Sequence, residues 1–151
     1  MNSQQDARTV LHLFTEIAIV EHLLRNRYDR SSPAGMTTGQ FGVLSHFIRN
    51  GRTEEKMALL AWAFQDSDDY MAEKVASLVQ RGLLSTRPAD SDPADLIVSI
   101  TDRGRAAHAE ALEAIAPEIE QLLEGIPMED IKTSLKVVQD IRRTLDNLPD
   151  R

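Results

Sequence analysis

Cysteine is absent from the chain, and with it go disulfide frameworks, thiolate zinc sites, iron–sulfur clusters, cysteine nucleophiles and thiol redox sensing. Glycine (7) and proline (6) are scarce, which excludes collagen-like and low-complexity chains. No apolar run approaches the roughly 18 residues that span a bilayer, and residues 1–9 lack a basic segment followed by an apolar one. No membrane partner is expected, and the cytoplasm is the expected location. Basic charge is short as well: 17 Lys and Arg stand against 24 Asp and Glu, a net charge of -7, so the chain as a whole repels polyanions. No region escapes this balance, with four basic and four acidic residues in 1–36, seven and ten in 37–104, and six and ten in 105–151. Catalytic signatures are missing too. There is no Gly-x-Ser-x-Gly elbow, no His-Glu-x-x-His pair and no kinase-like set, so no enzymatic activity and no cofactor are expected.

What remains is 151 residues, 42% apolar and 27% charged, the size and composition of one compact domain with a real core. Its first segment, about 5–29, carries Val10, Leu13, Phe14, Ile17, Val20 and Leu24 at spacings of three and four, one apolar stripe on a helix. Ile19 and Leu23 fall on the opposite face, so this helix has apolar groups for two partners, one of which could be another subunit. Ser31, Ser32, Pro33 and Gly35 end it, because proline breaks the hydrogen-bond ladder and glycine permits a turn. A second helix begins near Thr37 or Thr38, either hydroxyl being able to cap free amides, and stops at Asn50-Gly51.

Thr53 offers a further N-cap, with Glu54 and Glu55 in the first turn and Met57, Leu60, Ala61 and Phe64 buried. Asp66 or Ser67 caps the next helix, which buries Met71, Val75 and Leu78 and ends at Gly82. Two short helices joined by a tight turn predict a helix-turn-helix. The period then changes. Residues 83–87 and 96–100 are short β-favouring runs around a polar tip rich in Pro and Asp, which predicts a hairpin, and a hairpin after a helix-turn-helix is a wing.

Thr101 caps a long helix bearing Ala107, Leu112, Ile115, Ile119 and Leu122, with Pro117 expected to kink it. Gly125 and Pro127 break the chain before a last helix with Ile131, Leu135, Val138, Ile141 and Leu145 at helical spacing. The expected fold is therefore mainly α with a small β-hairpin wing: a winged helix-turn-helix over 37–101, flanked by helices over 5–30 and 104–148 within one domain of 1–151. The apolar surplus on those outer helices predicts a homodimer formed by helix exchange.

Several strings along this framework resemble the MarR (multiple antibiotic resistance regulator) family of winged-helix transcription regulators. Met36-Thr37-Thr38-Gly39-Gln40-Phe41-Gly42-Val43-Leu44 is similar to the family's L-T-x-x-Q-[FW]-x-V-L. Leu60-Ala61 and Phe64 follow in order, then Leu78, Arg81-Gly82-Leu83-Leu84, Arg87-Pro88, Asp92, Val98-Ser99-Ile100-Thr101 and Gly104-Arg105, like R-L-x-x-K-G-L-V-x-R…D-R-R…V-x-L-T-x-x-G. The resemblance covers most of the chain. It implies a DNA-binding regulator, commonly a repressor, built as an obligate homodimer with intertwined terminal helices. Its two recognition helices would enter successive major grooves of a pseudo-palindromic operator, about 34 to 36 Å apart. It also implies release by a small organic effector, often an aromatic acid or phenol, held between the dimerisation and DNA-binding lobes.

The residues that the resemblance places at the DNA face are Ser67, Tyr70, Glu73, Lys74, Ser77, Arg81 and Arg87, and here the chain departs from the family. The recognition helix usually reads S-T-V-T-R-L-V-D-R-L; this one reads Asp69-Tyr70-Met71-Ala72-Glu73-Lys74-Val75-Ala76-Ser77-Leu78. Glu73 and Ser77 stand where arginines are usual, and the wing's Asp-Arg-Arg is Asp92-Pro93-Ala94. The cation usually inserted in the minor groove has no counterpart, and Asp90 and Asp95 add negative charge to the tip. Lys74, Arg81, Arg87 and Arg103 remain to meet phosphates. Arg81 reads equally as a solvated helix end, and Arg87 as the ion-pair partner of Asp90 or Asp92. Glu73 could instead accept from a cytosine amino group, and Tyr70 could contact a thymine methyl. Arg25, Arg27 and Arg30 form a second basic group that could hold flanking phosphates. The alternative is a dimer that no longer reads duplex DNA and serves as a ligand-binding or protein-interaction module.

Other candidates reduce to structure. His12, His22, His46 and His108 include no His-x-x-x-His pair, and His12 and His22 project roughly 80° apart and nearly three turns from each other along the helix. No metal site is expected. Gly35, Gly39 and Gly42 lack the Gly-Lys-Ser/Thr of a phosphate cradle and read as close packing. Phe64 reads as core. Trp62 reads as packing in preference to a cavity wall, and Glu113, Glu118, Glu120 and Glu124 as a solvated face.

Overall fold

The computed structural model describes residues 3–149, so the ends of the 1–151 span read as one domain lie outside the described residues. Helix α1 spans Gln4–Ser31, α2 Thr38–Asn50, α3 Met57–Phe64, α4 Asp68–Gln80, α5 Asp102–Leu122 and α6 Met128–Asp146. Strands β1 (Glu54–Lys56), β2 (Leu84–Pro88) and β3 (Leu96–Ile100) form one antiparallel sheet in the order β1-β3-β2. The mainly helical winged helix-turn-helix expected from the sequence is the fold observed. The chain divides between Ile115 and Ala116 into two compact units. No helix among the described residues is long and apolar enough to cross a membrane.

Caps set the boundaries of the helices. Thr37 and Gln40 make a reciprocal capping box at the start of α2, the Gln40 amide donating to the Thr37 hydroxyl and the Thr37 amide to the Gln40 side chain. Gly51 ends that helix with φ at +63°, the left-handed geometry that glycine adopts without steric cost. Ser67 caps α4 by accepting from the Tyr70 amide at 3.1 Å, and Asp68 and Asp69 occupy its first turn, where negative charge meets the positive end of the helix dipole.

One expectation fails. Glu54 and Glu55 are not a first helical turn capped by Thr53; they form β1, paired Glu54 to Ser99 and Glu55 to Val98. Helix α3 starts three residues later, with Lys56 at its N-cap position. The pairing decides it. The exposed edge of β3 has backbone groups to satisfy, and an extended stretch here satisfies them, with the Ile100 amide donating to the Thr53 carbonyl at 3.0 Å.

The core lies in the winged part. Phe47 and Leu44 from α2, Leu60 from α3, Met71, Val75 and Leu78 from α4, and Leu84 and Val98 from the sheet are all fully buried, each contributing roughly 1.5–3 kcal/mol by leaving water. Gly104 seals the start of α5 against the sheet: a Cβ there would stand 2.2 Å from the Leu83 carbonyl oxygen. The Thr101 hydroxyl donates to the Gly82 carbonyl and accepts from the Gly104 amide, which fixes that junction. By contrast, α1 and α6 hold no buried residue. Pro117 lies within α5, which continues to Leu122.

Candidate nucleic-acid interface and adjoining cavity

Helix α4 turns Met71, Val75 and Leu78 inward. The 3.6-residue period therefore sends Asp69, Ala72, Glu73, Ala76 and Gln80 outward along one stripe, and all five are exposed. Tyr70 is half exposed, at 50%. The outward face carries three carboxylates, Asp68, Asp69 and Glu73, and no cation.

The cations expected near that face are engaged elsewhere. Lys74 is half-buried, with its ammonium 2.5 Å from Asp66 and within 5.2 Å of the Phe64 and 4.8 Å of the Tyr70 ring centres. Arg81 is not a solvated helix end: its guanidinium donates to the carbonyls of Ala34 at 2.9 Å and Gly35 at 3.0 Å. These bonds hold a tight turn in which Ala34 has φ of +52°, a conformation costing about 1–2 kcal/mol for a residue with a Cβ. Arg87 pairs with Glu54 at 3.2 Å, not with Asp90 or Asp92. The reason is strand alternation: Arg87 pairs in register with Ile97, and Glu54 with Ser99, which puts both on the outer face of the sheet. Arg103 is exposed, its guanidinium lying over Gly82.

The Ser77 hydroxyl accepts from the Gln40 side-chain Nε2 at 2.7 Å, tying α4 to α2. Ser67 is spent on the helix cap. Of the residues placed at the DNA face, Tyr70 and Glu73 are thus the ones that stand outward on α4. In the second basic group, Arg25 is bound to Glu21 at 2.5 Å. That bond, foremost, holds its pKa above the ordinary value.

Beside this face lies an apolar cavity of about 280 Å³ between α1, α2 and the first half of α5. Leu24, Tyr28, Met36, Phe41, Ala111 and Ile115 line it, and Pro33, from the turn gripped by Arg81, forms part of the wall. The Tyr28 hydroxyl is buried without a hydrogen-bond partner among the described residues. Phe41 stacks on His108, ring centres 4.7 Å apart and planes within 3°, and His108 meets the Ser45 hydroxyl at 3.0 Å. Burial holds the His108 pKa below the ordinary imidazole value, so this ring favours its neutral form. At the far end of α2, His46 lies 3.9 Å from Glu55 and its pKa is likewise pushed down by burial. His12 and His22 are exposed, beside Glu16 and Asn26. Trp62 is half exposed and does not line this cavity. Neither the Tyr28 hydroxyl nor the α4–wing groove described below had a sequence signal, because both depend on which helices meet.

No protein-family model matches the chain, and no curated protein matches it. Solved structures do. The transcriptional regulator BldR from Sulfolobus solfataricus superposes with a TM-score of 0.77 at 19% identity, covering 94% of this chain and 99% of that one. A MarR variant from E. coli complexed with operator DNA gives 0.63 at 19% identity over 85% and 97% of the two chains. The organohalide-sensing regulator RdhR in its 2,4-dichlorophenol-bound form gives 0.68 at 16% identity over 95% and 86%. At such identities the likeness is one of fold: the chain has the winged-helix architecture of MarR-family transcriptional regulators.

Proposed function

We propose that the protein is a dimeric winged-helix regulator of transcription in the cytoplasm, acting as a repressor whose hold on duplex DNA is modulated by a small organic ligand. The observation that carries this reading is the α3–α4 helix-turn-helix with its wing, an arrangement whose counterpart in a structural neighbour is crystallised with operator DNA. Helix α4 would enter the major groove, offering Tyr70 and Glu73 to base edges. With so few cations free to release counterions, affinity would be modest and fall steeply with salt.

The effector would occupy the α1–α2–α5 cavity. Its walls are apolar, its arginine is neutralised by Glu21, and Tyr28 supplies one buried hydroxyl. These features suit an uncharged aromatic with a single hydrogen-bonding group better than a carboxylate. Arg81 links cavity to DNA face, since it joins the end of α4 to the turn beside Pro33. A ligand that displaces the turn would pull on the recognition helix. The apolar residues left exposed on α1, among them Leu11, Val20 and Leu23, and on α6, among them Leu135 and Leu145, supply the surface for a homodimer.

A mobility-shift titration with duplex DNA from upstream of its own gene, at about 50 and 200 mM salt, tests the reading. A sequence-selective complex at the lower salt, weakened by 2,4-dichlorophenol, is the expected outcome; absence of any selective complex at low salt overturns it. A second reading, an interaction module that no longer reads duplex DNA, is favoured by a specific observation: Lys74, Arg81 and Arg87 are bound to Asp66, to backbone carbonyls and to Glu54.

A further inference from the structure

Between α4 and the wing runs a groove of about 450 Å³. Ala72, Val75, Ala76 and Val79 of α4, Met57 of α3, and Thr86 and Leu96 of the wing line it. No charged residue lines the strip itself; carboxylates stand beside it on the exposed stripe of α4 and at the wing tip, and Glu73 also lines a polar cleft that it shares with Arg25 and Lys74. Asp69 and Glu73 neighbour Ala72 and Ala76 on the same helical stripe, and the wing tip beyond Leu96 carries Asp90, Asp92 and Asp95, all exposed but for Asp95, which is half-buried. The nearest wing cation, Arg87, faces the other side of the sheet with Glu54, and Lys74 is turned toward Asp66 and Phe64.

We propose that this groove docks a cationic amphipathic helix of a partner protein. Ala72 and Ala76 are small enough for a second helix to approach at the 8–10 Å axial distance of ordinary helix packing. The partner would lay apolar side chains along Ala72, Ala76 and Leu96 and direct Lys or Arg to Asp69, Glu73 and the tip aspartates. Charge selects this occupant. A phosphate backbone brought to the same groove meets like charge from five carboxylates, whereas a basic helix meets the opposite sign and buries the strip. The inference deepens the interaction-module reading and rests on it.

The test uses the full-length protein and a fluorescein-labelled Leu/Lys peptide of about 14 residues, long enough to match the roughly 20 Å of α4, with its Leu residues on one helical face. A peptide of the same composition, scrambled to remove that face, is the comparison. Anisotropy should show the amphipathic peptide binding at least tenfold more tightly, a difference of about 1.4 kcal/mol. Ala76→Gln, which fills the groove without changing charge, and the double variant Asp69→Asn/Glu73→Gln should each weaken it several-fold, while Glu110→Gln on α5 leaves it unchanged. Equal binding of both peptides, or indifference to the groove variants, overturns the inference alone. A labelled promoter duplex that binds selectively, displaces the peptide and is itself weakened by Ala76→Gln overturns the inference and the interaction-module reading together.

Discussion

The winged core and the terminal helices solve the burial problem in opposite ways. In the core, α2, α3, α4 and the sheet enclose Phe47, Leu60, Met71, Leu78 and Val98 completely, and α2 and α4 start at side-chain caps. Helices α1 and α6 are as long or longer and as amphipathic in sequence, yet bury no residue. Leu11 is 63% exposed and Leu135 56%. The contrast teaches that the same spacing of apolar residues signals two destinations. A stripe whose partners lie in the same chain becomes core; one left exposed is the surface on which the proposed dimer would form.

Truncation before Ile131 would bear hardest on the contrast. If the terminal helices are half of a dimer interface, loss of 131–151 yields monomer by sedimentation, and the melting temperature falls while losing its dependence on protein concentration. A stable dimer after truncation would break the contrast. Within the core, Phe47→Ala should cost about 3–5 kcal/mol in denaturant unfolding, whereas Leu11→Ala on α1 should change the unfolding of an isolated monomer little. At the seam of sheet and α5, Gly104→Ala should cost about 1–3 kcal/mol, because the added methyl meets the Leu83 carbonyl.

Arg81→Gln removes two charge-assisted bonds to the Ala34–Gly35 turn and should cost about 1.5–3 kcal/mol of stability. A loss of DNA affinity with unaltered stability would instead mark Arg81 as a phosphate contact. The smallest effect is the acid one. Burial lowers the pKa of His108 in the folded state, so the unfolded chain binds the proton more readily, and stability present above the ordinary imidazole value of about 6.5 is lost as the pH falls below it. Urea melts of the parent protein at pH 7.5 and 5.5, compared with His108→Gln, should show a smaller pH difference in the variant.

Much of the fold was legible in the sequence. The caps, narrowed to Thr37 or Thr38 and to Asp66 or Ser67, the Gly51 stop and the β-branched run Ile97-Val98 act over three or four residues, and local geometry is what local sequence specifies. Strand β1 was not legible, because Glu-Glu-Lys after a threonine looks like a helix start until the edge of β3 is there to pair with it. At the site, the acidic character of α4 was plain, but the state of its cations was not. Arg87 read equally as a phosphate contact and as the partner of aspartates three and five residues away, and the alternation of β2 turned it instead toward Glu54, 33 positions distant.

By itself, the sequence determined the order of the helices and of the hairpin, which stripe of each helix is apolar, and that the recognition helix carries carboxylates in place of arginines. Only the tertiary structure decided that Lys74 and Arg81 are withheld from the outer face, the latter by carbonyls 46 and 47 positions away, and that an apolar groove opens between α4 and the wing. Periodicity and capping are properties of neighbouring residues. An ion pair or a groove belongs to whichever distant segments folding brings within a few ångströms, and that distance is not written in any one stretch of chain.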